Sequence, residues 1–115
     1  MKMFIEPTNI FLHRDFVDFR KAINGLTALV EDDLNRDAYT GDLFVFCNKS
    51  KDKLKILYWD KTGFALWQKR LEKQKFKWPN KIDDTEFVLT AEQLNWLLSG
   101  YDVLGHQVLH YQSMY

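Results

Sequence analysis

Cysteine is almost missing from this chain: Cys47 is the only one in 115 residues. A lone thiol excludes an internal disulfide framework and makes a cytoplasmic setting the expectation. Two prolines and five glycines are too few for a collagen-like or low-complexity chain. No run approaches twenty apolar residues, so no membrane span and no membrane partner is expected. The opening MKMFIEPTNIF has a single lysine and breaks at Glu6-Pro7, before a signal-peptide core could form. Glycine-rich phosphate loops and the GxSxG turn are missing as well. Lysine and arginine stop altogether at Lys81.

What is present fits one folded domain, residues 1–115: 46% hydrophobic and 16% aromatic residues are incompatible with a disordered chain. Sixteen basic and sixteen acidic side chains cancel, but their order matters more than their sum. Residues 1–40 carry a net −2, residues 41–81 a net +7, and residues 82–115 a net −5. The basic middle also holds Phe44, Phe46, Tyr58, Trp59, Phe64, Trp67, Phe76 and Trp78. Basic groups interleaved with aromatics can hold a phosphate backbone and stack bases. Lysines on wet strand faces over an aromatic core give the same pattern. Both readings stand at this point.

Periodicity supplies the elements. Residues 8–13 read as a first strand. Asp15 reads as a helix N-cap with Asp18 three residues on, and Phe19, Ile23, Leu26 and Val30 form an apolar stripe. These predict a long amphipathic helix over about residues 16–34. Gly25 inside it costs about 1 kcal/mol relative to alanine, a cost acceptable for close approach of another backbone or for a surface kink. Residues 43–47, 53–59 and 64–71 read as an antiparallel meander, with a helix the competing assignment over 64–74. Residues 48–52 and 60–63 are its turns. Phe76 and Trp78 flank Lys77 in a short extended segment before Pro79. Thr90 with Gln93 forms a capping box, Leu94, Leu97 and Leu98 make the stripe, and Gly100 is the stop. The expected fold is α+β: a small antiparallel sheet of three to five strands, a long N-terminal helix and a shorter C-terminal one. The tail, residues 101–115, is expected to add a turn of helix or a strand.

Catalytic chemistry finds little support. His106 and His110 are four apart, but two ligands do not make a zinc site, and Cys47 and His13 join them only if folding brings all four together. Cys47 ends an apolar strand, where a thiol acts as a small hydrophobe. Asp15, Asp18, Asp32, Asp33, Asp60 and Asp102 are numerous enough for a magnesium-dependent nuclease centre. Capping, turn and solvated roles account for them more simply. No enzyme, metal or cofactor is expected.

The basic set is the stronger signal. Lys49, Lys51, Lys53 and Lys55 alternate through a hairpin, and Lys69, Arg70, Lys73, Lys75 and Lys77 form a second cluster. Alternate residues of an extended strand share a face, so such lysines can neutralise phosphates without reading bases. Arg70 offers a rigid fork for a bidentate contact. Arg20 and Lys21 at the start of the long helix oppose its dipole and fit a partner contact or a pairing with Asp18. In the rival scheme, a protein-interaction module, Trp59, Trp67 and Trp78 are anchors and the lysines a rim.

Several segments together resemble a known family. These are Asp18-Phe19-Arg20-Lys21-Ala22-Ile23-Asn24-Gly25-Leu26, Thr40-Gly41-Asp42-Leu43-Phe44-Val45-Phe46, and Lys53-Leu54-Lys55-Ile56-Leu57-Tyr58-Trp59-Asp60. Gly63 to Trp67, Lys69-Arg70-Leu71-Glu72, Phe76-Lys77-Trp78-Pro79 and Leu89-Thr90-Ala91-Glu92-Gln93-Leu94 continue the series. In order and spacing, over about residues 4–102, they resemble the small accessory protein encoded by the second reading frame of insertion-sequence-66 elements. That protein shares the name TnpB with an unrelated RNA-guided nuclease. The resemblance implies a non-catalytic factor acting beside a separate transposase, with element DNA, the transposase or both as partners. Arg20, Lys21, Gly25, Gly41, Trp59, Asp60, Gly63, Lys69, Arg70, Leu71, Trp78 and Pro79 are the family-like positions. Phe19, Ala22 and Asn24 depart mildly from the family pattern.

Overall fold

The structure, a computed structural model, describes residues 9–103. Its element order is β1 (Ile10–His13), α1 (Ile23–Asp32), β2 (Leu43–Cys47), β3 (Lys53–Asp60), β4 (Gly63–Arg70), β5 (Glu86–Leu89) and α2 (Ala91–Leu98). The five strands form one sheet in the order β4-β3-β2-β1-β5. The meander β2-β3-β4 is antiparallel, as its two short turns require. β1 lies beside β2 and runs parallel to it, with Ile10 opposite Leu43 and α1 as the crossover. β5 closes the other side of β1, antiparallel, with Leu89 opposite Ile10.

Both faces of the sheet are covered, which is why β3 and β4 show no clean polar side. On one face, Leu12, Val45, Leu54 and Ile56 pack with Leu94, Leu97 and Leu98 of α2 and with Phe76 and Trp78. On the other, Phe11, Phe44, Phe46 and Leu57 pack with Leu26 and Val30 of α1. Residues 76–79 make no strand, yet Phe76, Trp78 and Pro79 are buried. The Trp78 indole donates to the His13 and Arg14 carbonyls at 3.2 and 3.0 Å. Polarity of the indole N–H is thus satisfied inside the core.

The first helix is shorter than its apolar stripe predicts. It starts at Ile23, and its N-cap, Ala22, offers no side-chain bond. Residues 16–21 are used otherwise. The Val17 amide donates to the Cys47 carbonyl (2.9 Å), prolonging contact with β2. The Asp18 carboxylate accepts from the Arg20 amide (2.9 Å), the local bond by which Asp competes against helix. Asp15 is no cap; its carboxylate takes the Arg14 guanidinium. At the far end Asn35 adopts a left-handed conformation (φ 57°), which stops the helix. The atoms nearest the side-chain position of Gly25 are those of Lys21, at 3.1 Å, rather than the backbone of another element.

α2 follows its sequence signature. Thr90 and Gln93 form the reciprocal capping box. At the other end Gly100 (φ 89°) donates to the Leu97 carbonyl and Tyr101 to that of Trp96, a Schellman closure. His106, His110 and the tail beyond Val103 lie outside the described residues; residues 101–103 form neither helix nor strand.

Candidate nucleic-acid interface

The basic residues are gathered by the β2–β3 turn. Asn48 organises it: its amide donates to the Asp52 carboxylate (2.7 Å), and its oxygen accepts from the Asp52 and Lys53 amides. Lys51 sits at a positive φ of 62°. Register then puts Lys53 opposite Arg70 at the end of β4. Beyond β4 the chain turns back along the same tip: the Leu71 amide donates to the Asp52 carbonyl and the Phe76 amide to that of Lys51. Two clusters well apart in sequence, residues 49–53 and 70–77, therefore meet at one end of the sheet. Lys49, Lys51, Arg70, Lys73, Lys75 and Lys77 are exposed there, and Lys53 is half-buried.

Asp52 and Glu72 of the basic segment stand near this end, and so does Asp18 of the first flank, which lines a cleft with Lys49 and Lys53. Glu72 pairs with Arg70 at 2.8 Å. Asp52 is held below the usual carboxylate range first by its Asn48 bond, with Lys75 and Lys53 adding to the effect. Other groups of the acidic flanks are engaged across the sheet. Arg14 pairs with Asp15 and donates to the Ile82 and Asp83 carbonyls. Arg36 binds Glu86 at 2.6 Å and lies over the Phe11 ring. Both arginines belong to the first third of the chain.

Two of the nine basic candidates are spent on the fold. Lys55 is 7% exposed, lies beside the Phe19 ring, and donates to the Phe19 and Lys21 carbonyls at 3.1 Å each. Burial, followed by the nearby Lys53 charge, lowers its pKa. Alternation placed it correctly on the face of Lys53, but the segment before α1 covers that face. Lys69 is on the opposite face, where its ammonium caps α2 by donating to the Leu98 carbonyl (2.8 Å). Both therefore leave the set of freely available phosphate contacts.

The tryptophans divide in the same way. Trp78 is core, and Trp67, half-buried, packs against the α2 face. Trp59 borders an exposed patch. It meets Tyr39 and Phe64 with ring centroids 5.0 and 5.1 Å away, and Tyr39 is 53% exposed. This trio stands at the β3–β4 turn, the opposite end of the strands from the lysines. Exposed Arg20 and Lys21 border the basic end; Arg20 grips the Asp18 carboxylate through Nε at 2.9 Å, and this bond holds Asp18 down to about 2.

Sequence reasoning assigned Phe16 and Phe19 to a helix stripe, but both line an open cleft of about 590 Å³. Its other walls include Arg20, Asn48, Lys49, Ser50 and Lys53. The available signal was the alternation of rings with charge in Phe16 to Lys21. Among the described residues there is no group of three or more His, Cys, Asp or Glu able to hold a metal ion. No helix among them is long and apolar enough to cross a membrane.

A family profile described as IS66 Orf2 like protein matches residues 8–107. Two similar proteins come from Sinorhizobium fredii (strain NBRC 101917 / NGR234). The uncharacterized protein y4jC is 43% identical over 86 residues, 75% of this chain and 73% of the relative. The uncharacterized protein y4hO is 31% identical over 97 residues, 84% of each. No solved structure matches the chain.

Proposed function

The chain belongs to the IS66 Orf2-like family, a group of non-catalytic accessory proteins of insertion sequences, and from that premise we propose that it assists transposition by binding element DNA. Contact is made through the basic end of the sheet. The supporting observation is the meeting of Lys49, Lys51 and Lys53 with Arg70, Lys73, Lys75 and Lys77 at one tip. Ammonium groups on a turn and an adjoining extended segment suit phosphates and read no base edge. The reaction chemistry belongs to the separate transposase, and the chain works as one domain in the cytoplasm.

A second surface supports a transposase contact. Tyr39, Trp59 and Phe64 form an aromatic patch at the far end of the strands, and exposed aromatics of this kind act as interface anchors. DNA and transposase can then be held at opposite ends.

The test is binding of a DNA fragment from the element's end across a salt series. Affinity should fall steeply, the logarithmic slope being about −0.9 per phosphate neutralised. A flat salt response removes the phosphate contacts. Pull-down of transposase with and without nuclease separates a direct contact from a DNA bridge; Tyr39→Ala should weaken only the nuclease-resistant part.

A further inference from the structure

Resting on the DNA reading above, we infer that the cleft between Phe16, Phe19 and the β2–β3 turn receives an unpaired nucleotide of single-stranded DNA. The lysine tip alone would serve any phosphate backbone. The cleft is different because it is concave and carries two half-buried phenyl rings. Its volume, about 590 Å³, falls within the range of small-ligand pockets, roughly 300–1,000 Å³. Duplex DNA presents a convex backbone with its bases already stacked, so the rings would gain nothing from it. A single strand has free base faces, and each can lie against a phenyl ring.

Charge around the cleft matches the same occupant. Lys49, Lys53 and Arg20 stand on its rim beside the Ser50 hydroxyl. Arg20 is 91% exposed; Asp18 takes its Nε and Nη2, which leaves Nη1 without a partner among the described residues. Asp18 is the single acid of the lining, and this pairing fixes the guanidinium as it balances the charge. The Asn48 side chain is held in the turn by its bonds to Asp52 and Lys53. Stacking with phosphate pairing, tolerant of sequence, is the resulting mode.

The walls are formed before any ligand arrives. Val17 is bonded to Cys47, Asn48 locks the turn, and Lys55 ties down the Phe19 and Lys21 carbonyls from beneath. A site already ordered spares the cost of ordering on binding.

The experiment measures anisotropy of the full chain with labelled oligothymidine and with a blunt duplex of equal length, at one salt concentration. The single strand should bind about tenfold tighter. Phe16→Leu, which keeps apolar volume but removes the ring, should weaken single-strand binding about tenfold and change duplex binding less than about twofold. If that variant does not fold, ultraviolet crosslinking of the unaltered protein to oligothymidine replaces it, with crosslinks expected on peptides bearing Phe16 or Phe19. Equal or tighter duplex binding, equal loss on both probes, or crosslinks confined to residues 73–77 overturns the inference and leaves the DNA reading standing. Failure of both probes to bind removes the DNA reading itself.

Discussion

Lys55 shows how a residue can be placed on the correct face and still have another task. Its ammonium ends at two carbonyls, where it supports the segment carrying Phe19 and Arg20. Lys55→Met should therefore destabilise the fold by about 1–3 kcal/mol, because the charge-assisted bonds go and two carbonyls lose their donor. Chemical denaturation measures this; a loss below about 0.5 kcal/mol would mean that the lysine is dispensable. Cys47 offers a second check. It is 0% exposed, and burial pushes its thiol up to about 12. Since the thiolate is the reactive form, the folded protein should resist iodoacetamide near neutral pH and react only once denatured. Rapid labelling of the native protein would contradict its place in the core.

The two helices differ in how far local chemistry specifies them. α2 is bounded by signals that its own residues supply, Thr90 and Gln93 at one end and Gly100 at the other. Thr90→Ala should cost about 0.5–2 kcal/mol by removing the cap, read as a lowered melting temperature. α1 has no such cap, and packing against the sheet carries it. Leu26 is fully buried, so Leu26→Ala should cost about 2–5 kcal/mol. Ile23 is only half-buried, and its truncation should cost less. Equal costs would place Ile23 deeper than its position at the first turn allows. The stripe in residues 16–34 was legible as apolar but not as continuous helix. Phe16 turns to the α2 face and Val17 to the α1 face, because the chain crosses the end of the sheet there.

At the scale of the molecule, the fold gathers basic side chains at the β2–β3 turn, while Asp15 and Glu86 pair with Arg14 and Arg36 beside β1 and β5. Replacing Lys49, Lys53, Lys75 and Lys77 with alanine should lower DNA affinity and flatten its salt dependence by up to about 3–4 in logarithmic slope. The melting temperature should stay near that of the parent, since none of the four is buried. Unchanged affinity would move the contact elsewhere. A set chosen by sequence pattern alone, Lys53, Lys55, Lys69 and Arg70, would confuse the result by loosening Lys55's segment and the end of α2.

The α+β class, the meander, the cap and stop of α2 and the basic middle were all fixed within short stretches of chain, where alternation, turn residues and local hydrogen bonds suffice. The parallel pairing of β1 with β2, the burial of Phe76 and Trp78 and the fates of Lys55 and Lys69 were decided only by tertiary structure. So was the cleft at Phe16 and Phe19. The reason is physical: each depends on which distant segment covers a given face of the sheet, and side-chain periodicity records that a face is apolar without naming what lies against it.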